Sequence, residues 1–122
     1  MPVKFETCAL FDESVVQMVR RNKHIIDKIK DFEAVKSANP LARYGNSDET
    51  LSPDSLLSLE VPKIRHAKLT SDVSIWYTIS GKDPQVIRLY GVFTHDDSGT
   101  GQPSNRKKQK SLGARMAHQQ FK

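Results

Sequence analysis

Two histidines in the second half of the chain stand beside charged side chains that suit acid–base chemistry on a phosphodiester. His66 lies in the run from Arg65 to Lys68, and His95 is followed directly by Asp96 and Asp97. Histidine titrates near neutral pH and can take up or release a proton, while a neighbouring lysine or arginine stabilises charge on phosphate oxygens. These groups suit attack of an RNA 2′-hydroxyl on its own 3′-phosphate. That reaction needs no metal, and DNA resists it because DNA lacks the hydroxyl.

The same side chains have ordinary structural interpretations. A histidine at a strand end is often a hydrogen-bonding surface residue, and Asp96 and Asp97 suit a turn. Two histidines and two aspartates without a recognisable ligand spacing do not indicate a metal site. Cys8, the single cysteine, lies in the acidic half of the chain, away from either histidine. We therefore expect no metal, no cofactor and no thiol nucleophile.

Basic residues are concentrated in the second half of the chain. The 122 residues include 19 Lys and Arg against 14 Asp and Glu, a formal net charge of +5. Residues 1–60 have a net charge of −2 and residues 61–122 a net charge of +7. Positive charge on one side of a protein attracts polyphosphate chains without sequence preference. The candidate RNA-binding or phosphate-binding cations are Arg65, Arg88, Arg106, Lys107, Lys108, Lys110 and Arg115.

The first half of the chain predicts a strand followed by helical structure. Alternating residues from Val3 to Leu10 indicate a strand, and an apolar stripe with helical spacing runs from Asp12 to Lys36. The polar stretch around Asn22 leaves open whether this region is one helix or two. From Ala38 to Pro62, prolines and polar residues predict loops with one helical turn.

The second half predicts the strands that position the two histidines. We expect a short strand from Ile64 to Leu69, then a hairpin with strands over residues 73–80 and 86–93. Because the second hairpin strand would be central, its end should lie near the chain that follows Leu69. His66 and His95 would then approach each other across one face of the sheet.

A loop from Asp96 to Ser104 and a basic helix from Asn105 to Gln120 complete the predicted elements. The order of elements indicates the α+β class: a small antiparallel sheet with an N-terminal helix or helical hairpin packed on it, and a basic C-terminal helix. We interpret the chain as one domain, residues 1–122. No apolar run is long enough to span a bilayer, and the single cysteine excludes an intrachain disulfide, so we expect a cytoplasmic protein.

The stretch from residue 63 to 97 resembles the RelE/ParE superfamily of bacterial toxins, the toxin halves of type II toxin–antitoxin pairs. The resemblance rests on His66-Ala67-Lys68-Leu69, on Ile75-Trp76-Tyr77-Thr78-Ile79, and on Val86 to Val92 with the ending Thr94-His95-Asp96-Asp97. This ending is similar to that of YafQ-type members, in which its histidine and another on an earlier strand are catalytic. The resemblance implies His95, Asp97 and His66 as catalytic residues, and the RelE-like fold as their scaffold. Lys68 would stabilise the phosphate charge beside them.

Two departures from the family pattern bear on this site. Many members have an arginine where this chain has Ser74 and use it to hold the scissile phosphate, so Arg65, Lys68 or Arg88 would have to replace it. The family also commonly ends soon after the histidine motif, whereas this chain continues through residues 98–122. We interpret these residues as a basic C-terminal extension that could bind RNA or the ribosome, cover the site, or contact an antitoxin.

The resemblance implies a metal-independent endoribonuclease toxin that cleaves mRNA, in association with the ribosome, and thereby inhibits translation. Its partners would be a cognate antitoxin, mRNA and the ribosome. Two alternatives stay open: a non-catalytic ParE-like toxin, and a basic nucleic-acid-binding accessory protein without toxicity.

Overall fold

One five-stranded sheet organises the chain in the computed structural model, which describes residues 3–122. In chain order the elements are β1 (Val3–Glu6), α1 (Ala9–Arg21), α2 (Ile25–Ala38), β2 (Asp48–Thr50), α3 (Leu56–Glu60), β3 (Arg65–Lys68), β4 (Val73–Ser80), β5 (Gln85–Thr94), α4 (His95–Ser98) and α5 (Arg106–Ala117). The strands lie in the order β1-β5-β4-β3-β2, with β1 parallel to β5 and the other neighbouring pairs antiparallel. The α+β class predicted from the sequence is confirmed.

The hairpin of β4 and β5 was predicted from the sequence and is confirmed. Its strands pair from Val73 opposite Thr94 to Ser80 opposite Val86, with one irregularity between Trp76 and Tyr77. β-Branched and aromatic residues favour such strands because they pack well on a pleated surface. Since Trp76 and Tyr77 are adjacent and both fully buried, the hairpin is covered on both faces.

The N-terminal region forms two helices, which was one of the two possibilities that the sequence left open. They are separated by a turn in which Asn22 Oδ1 accepts a hydrogen bond from the backbone N–H of His24 at 3.0 Å. The predicted opening strand is wrong beyond Glu6, because α1 begins at Ala9. Leu10 and Phe11 are buried in the first turn of that helix, and their burial outweighs the short alternating pattern.

Along part of β5, side chains from the region of α1 form hydrogen bonds with the strand backbone in place of a neighbouring strand. β1 pairs only with Gln85 to Arg88, and the next residues of β5 would otherwise present an open edge. The Cys8 thiol lies 3.6 Å from the carbonyl oxygen of Leu89, and Ser14 Oγ accepts a hydrogen bond from the N–H of Val92 at 2.9 Å. Burial raises the pKa of the Cys8 thiol, which agrees with a structural role.

The region from Ala38 to Pro62 contains a strand that the sequence did not predict. The predicted helical turn is α3, whose first turn is capped by Ser55 Oγ accepting from the N–H of Ser58 at 3.1 Å. The unpredicted strand is β2, which pairs with β3. Its residues, Asp-Glu-Thr, lack apolar alternation, and the buried Asp48 carboxylate fixes it instead by binding Lys36 at 2.6 Å. The prediction of loop is therefore wrong at Asp48–Thr50.

The chain after β5 forms one helical turn and then a longer helix. The loop predicted from Asp96 is wrong at its start, because Thr94 Oγ1 accepts a hydrogen bond from the N–H of Asp97 at 3.0 Å and caps α4. The predicted basic helix is confirmed as α5, which buries Leu112 and Met116. α5 packs closely on α3, since a Cβ at Gly113 would lie 3.0 Å from the side chain of Glu60. Within residues 3–122, no helix is long and apolar enough to cross a bilayer.

Candidate active site

His66 lies on one face of β3, and the register of the sheet fixes its neighbours. It is directly opposite Trp76 of β4, and the two rings stack with centroids 4.9 Å apart and planes inclined by 15°. Two residues further along the same face, Lys68 is opposite Ser74. Directly opposite residues in antiparallel strands project to the same side, so His66, Lys68, Ser74 and Trp76 share one face. We call it the His66 face.

His95 follows β5 immediately, at the end of the sheet where β3 continues into β4. Its backbone N–H donates to the carbonyl oxygen of Asp72 at 3.2 Å, and its Nδ1 lies 3.9 Å from Asp72 Oδ1. Asp72 belongs to the turn between β3 and β4. The sequence predicted that His95 would emerge near the chain that follows Leu69, and this placement is confirmed.

The environment of His66 keeps its imidazole neutral near pH 7. Burial lowers the pKa of His66 below its ordinary value of 6.5, and the charges of His95 and Lys68 lower it further, while the Glu49 carboxylate raises it. A neutral imidazole is the form that accepts a proton.

Glu49 is a neighbour of the site that the sequence did not indicate. It lies directly opposite His66 on β2, and its Oε1 is 3.9 Å from His66 Nε2. No sequence signal marked it, because the polar residues of β2 do not have a strand pattern.

Arg65 projects to the opposite face of the sheet, which we call the Arg65 face. Its Nε donates to the Tyr77 hydroxyl at 3.0 Å, its Nη1 donates to Thr50 Oγ1 at 2.7 Å, and its Nη2 lies 3.5 Å from Asp48 Oδ1. The strand alternation that places His66 at the site turns Arg65 away from it. The Arg65 guanidinium therefore lies on the opposite side of the sheet from the His66 ring.

Arg88 lies at the other end of β5. It precedes Thr94 by six residues, which corresponds to about 20 Å of extended strand. Its Nε donates to Glu6 Oε1 at 2.9 Å, and its guanidinium carbon is 5.0 Å from the ring centroid of Phe121. Of the three cations considered as replacements for the family arginine, only Lys68 projects from the same strand to the same face of the sheet as His66.

The two aspartates after His95 contact helices, whereas His95 faces the turn between β3 and β4. Asp97 Oδ2 lies 3.3 Å from Arg21 Nη1 at the end of α1. Asp96 Oδ2 lies 3.5 Å from Lys108 Nζ on α5. Asp97 therefore joins α4 to the end of α1.

The five cations of α5 divide between two sides of that helix. Lys108 and Arg115 line a cleft of about 410 Å³ between α1 and α5, where Arg115 lies 3.9 Å from Glu13. Arg106, Lys107 and Lys110 are exposed and line a groove beside Leu56 and Leu59 of α3. The side that faces α3 therefore carries the cations without an ion pair among residues 3–122.

Two solved structures are similar to this one. One is a YoeB/ParE toxin from Agrobacterium tumefaciens, with a TM-score of 0.59 and 18% sequence identity, covering 78% of this chain and 99% of that chain. The other is a chain of the E. coli DinJ–YafQ toxin–antitoxin complex, with a TM-score of 0.60 and 16% identity, covering 79% of this chain and 96% of that chain. No protein-family model matches the chain, and no curated protein sequence is significantly similar to it.

These similarities establish the fold. The chain has a RelE/ParE-like fold, as the resemblance of residues 63–97 predicted. Both neighbours are matched over nearly their whole length, while about a fifth of this chain has no counterpart in them. The unmatched part is close in size to residues 98–122, the predicted C-terminal extension.

Proposed function

We propose that this protein is the toxin of a type II toxin–antitoxin pair and acts as a metal-independent endoribonuclease on mRNA. The observation that carries the proposal is that His66 and Lys68 share one face of β3 while His95 lies beside the turn that follows β3. The fold supports it, because a solved toxin structure and a chain of a solved toxin–antitoxin complex share that fold. The net charge of +7 on residues 61–122 supports a polyphosphate substrate.

The three side chains divide the reaction between them. Neutral His66 accepts the proton of the RNA 2′-hydroxyl as that oxygen attacks the adjacent phosphorus. His95 in its protonated form donates a proton to the departing 5′-oxygen, and the products are a 2′,3′-cyclic phosphate and a 5′-hydroxyl. The Lys68 ammonium stabilises the negative charge that builds on the phosphate oxygens.

Four other predicted residues, Asp97, Arg106, Lys107 and Lys110, support this site from outside it. Asp97 holds α4 against α1 through Arg21 and thereby orients His95, so we assign it a positioning role. Arg106, Lys107 and Lys110 bind the RNA backbone beyond the cleavage point, where exposed cations give affinity without sequence preference.

The proposed partners follow from the toxin assignment. We propose a cognate antitoxin protein, because one structural neighbour was solved as a toxin–antitoxin complex. We also propose mRNA and the ribosome as the setting of cleavage, in the cytoplasm, with inhibition of translation as the result.

Cleavage by the purified chain and by histidine variants tests the proposal. The wild type should cleave single-stranded RNA in the presence of EDTA and leave DNA intact, and expression in bacteria should stop growth. His95→Ala should lower the cleavage rate about 10²- to 10⁴-fold, as expected for loss of a general acid. The matched control is His24→Ala, which removes an exposed histidine in the turn between α1 and α2.

Two outcomes would reject parts of the proposal. A His95→Ala variant that cleaves RNA at the wild-type rate rejects the role of His95. Growth arrest with intact transcripts and an induced DNA-damage response rejects the nuclease and favours the ParE-like alternative.

A further inference from the structure

Three buried polar atoms without a hydrogen-bond partner lie together on the His66 face. Among residues 3–122 these atoms are His66 Nδ1, Ser74 Oγ and Trp76 Nε1. His66 is directly opposite Trp76, and Ser74 precedes Trp76 by two residues on the same strand. Buried polar groups are nearly always hydrogen-bonded in folded proteins, so their concentration on two adjacent strands requires an explanation.

Other buried polar side chains of the chain have partners. Ser14 Oγ donates to the carbonyl oxygen of Phe11 at 2.8 Å and accepts from the N–H of Val92 at 2.9 Å. The hydroxyls of Ser58, Thr94 and Ser98 and the charged groups of Lys36 and Asp48 are hydrogen-bonded as well. The fold therefore satisfies buried polar atoms in general, and the His66 face is an exception.

The chemistry of the unpartnered atoms defines what they can bind. An indole N–H only donates, and a serine hydroxyl can donate. Directly across from Ser74 is Lys68, whose ammonium also only donates. Two neutral donors beside a cation form a receptor for the oxygens of an anion.

Two rings lie against Trp76 and against the residue opposite it. Ser74 and Trp76 have no exposed surface, but the His66 ring is stacked on Trp76, and the Phe93 ring fills the space above Gly91, the residue opposite Trp76. His66 and Phe93 are both only half-buried. Turning these rings is a change of side-chain rotamer, which needs no rearrangement of the sheet.

We propose that Ser74 Oγ and Trp76 Nε1 donate hydrogen bonds to oxygens of the substrate phosphodiester when His66 turns off the Trp76 ring. The identity of the anion rests on the proposed function, whereas the donor site itself does not. In the free protein the unpartnered atoms lower stability, and the bound phosphodiester supplies the missing acceptors. Ser74 thus contributes to holding the phosphate together with Lys68.

The single tryptophan of the chain makes the site directly observable. The probe is a short single-stranded RNA with 2′-fluoro riboses, which binds but cannot be cleaved through a 2′-hydroxyl. Titrated into the ¹⁵N-labelled protein, it should shift the one indole N–H resonance at saturation. Ser74→Ala should weaken binding of the probe at least fivefold and lower cleavage of ordinary RNA about 10- to 100-fold.

Stability measurements separate this role from a structural one. Ser74→Ala removes a hydroxyl that has no partner, so its Tm should equal or exceed that of the wild type. The matched control is Ser14→Ala, which removes a buried hydroxyl with two hydrogen bonds. Its Tm should fall, while its binding of the 2′-fluoro RNA should stay at the wild-type level.

The outcomes distinguish this inference from the proposed function. If the indole resonance shifts and Ser74→Ala weakens binding, yet the wild type cleaves no RNA, the donor site stands and the nuclease proposal fails. If the wild type cleaves RNA and Ser74→Ala cleaves and binds equally well, buried water satisfies these atoms and the donor site is rejected. An indole resonance that does not move at saturating RNA also rejects it.

Discussion

Arg65 and His66 are neighbours in β3 and project to opposite faces of the sheet. The two faces differ in the hydrogen bonding of their buried polar groups. On the Arg65 face, Asp48 binds Lys36, Arg65 and the hydroxyl of Tyr77. On the His66 face, three polar atoms have no hydrogen-bond partner among residues 3–122. A buried group with its full set of hydrogen bonds stabilises one conformation, whereas a group without partners is available to a ligand. The Arg65 face therefore maintains the fold, and the His66 face is the one that we propose binds substrate.

Removing the centre of the satisfied network should have the largest effect. Asp48→Ala leaves the fully buried Lys36 ammonium without its carboxylate partner, and breaking a buried ion pair in this way costs about 3–5 kcal/mol of the free energy of unfolding. Urea denaturation followed by Trp76 fluorescence measures the change. Asp54→Ala, at an exposed position, is the control and should change stability by less than about 0.5 kcal/mol. A loss below about 1 kcal/mol for Asp48→Ala would contradict the role of the network.

Removing one hydroxyl from the same network should have a smaller effect. Burial and the hydrogen bond to Asp48 raise the pKa of Tyr77, so its hydroxyl stays protonated and donates. Tyr77→Phe deprives Asp48 of this donor and Arg65 of an acceptor, which should lower the free energy of unfolding by about 1–3 kcal/mol. A double-mutant cycle with Asp48→Asn should show coupling of about 0.5 kcal/mol or more. Strict additivity of the two changes would show that the two side chains act independently.

The smallest expected effect is the contribution of His66 to the pH dependence of the free energy of unfolding. Because burial lowers the pKa of His66 in the folded protein, the unfolded chain binds the proton first. The contribution of His66 to the free energy of unfolding is therefore fully present above about pH 6.5, and it is lost as the pH drops below that value. His66→Gln should reduce the slope of the free energy of unfolding against pH. The reduction should be at most about 1.4 kcal/mol per pH unit, the limit for one proton. The exposed His118→Gln is the control, and an unchanged slope in His66→Gln would exclude this linkage.

The Arg65 face should respond in a different pH range. Burial alone would raise the pKa of Asp48, but hydrogen bonds from Lys36, Tyr77 and the N–H of Tyr44 outweigh it and lower that pKa below 3.8. The contribution of Asp48 is therefore present above about pH 3.8 and is lost only as the pH falls through the lowered value. Urea denaturation at lower pH would locate the range in which protonation of Asp48 lowers the free energy of unfolding.

The sequence predicted the elements whose residues have a regular pattern. The alternation in β4 and β5 predicted the hairpin, and the hairpin placed His95 near the end of β3. The same alternation also indicates that Arg65 faces away from His66. The prediction of Arg65 as a phosphate-binding cation beside His66 did not take this alternation into account.

The rest of the site depends on long-range contacts that leave no local pattern. β2 has three polar residues and is fixed by the ion pair between Asp48 and Lys36, so neither the strand nor Glu49 could be recognised from the sequence. The direction of Asp97 depends on the Thr94 cap and on Arg21, which is distant in the sequence. Whether Ser74 Oγ and Trp76 Nε1 have hydrogen-bond partners depends on the three-dimensional positions of all surrounding atoms, which the sequence does not determine locally.

The attachment of the N-terminal region to β5 has a consequence for the order of folding. β1 pairs with residues 85–88, and Cys8 and Ser14 bond to Leu89 and Val92, so these contacts close loops of nearly 80 residues or more. Closing such loops delays folding, whereas the hairpin of β4 and β5 forms from local contacts. During synthesis, α1 and α2 therefore leave the ribosome long before their docking surface exists. We expect the chain to acquire its native N-terminal packing only after residue 92 has emerged.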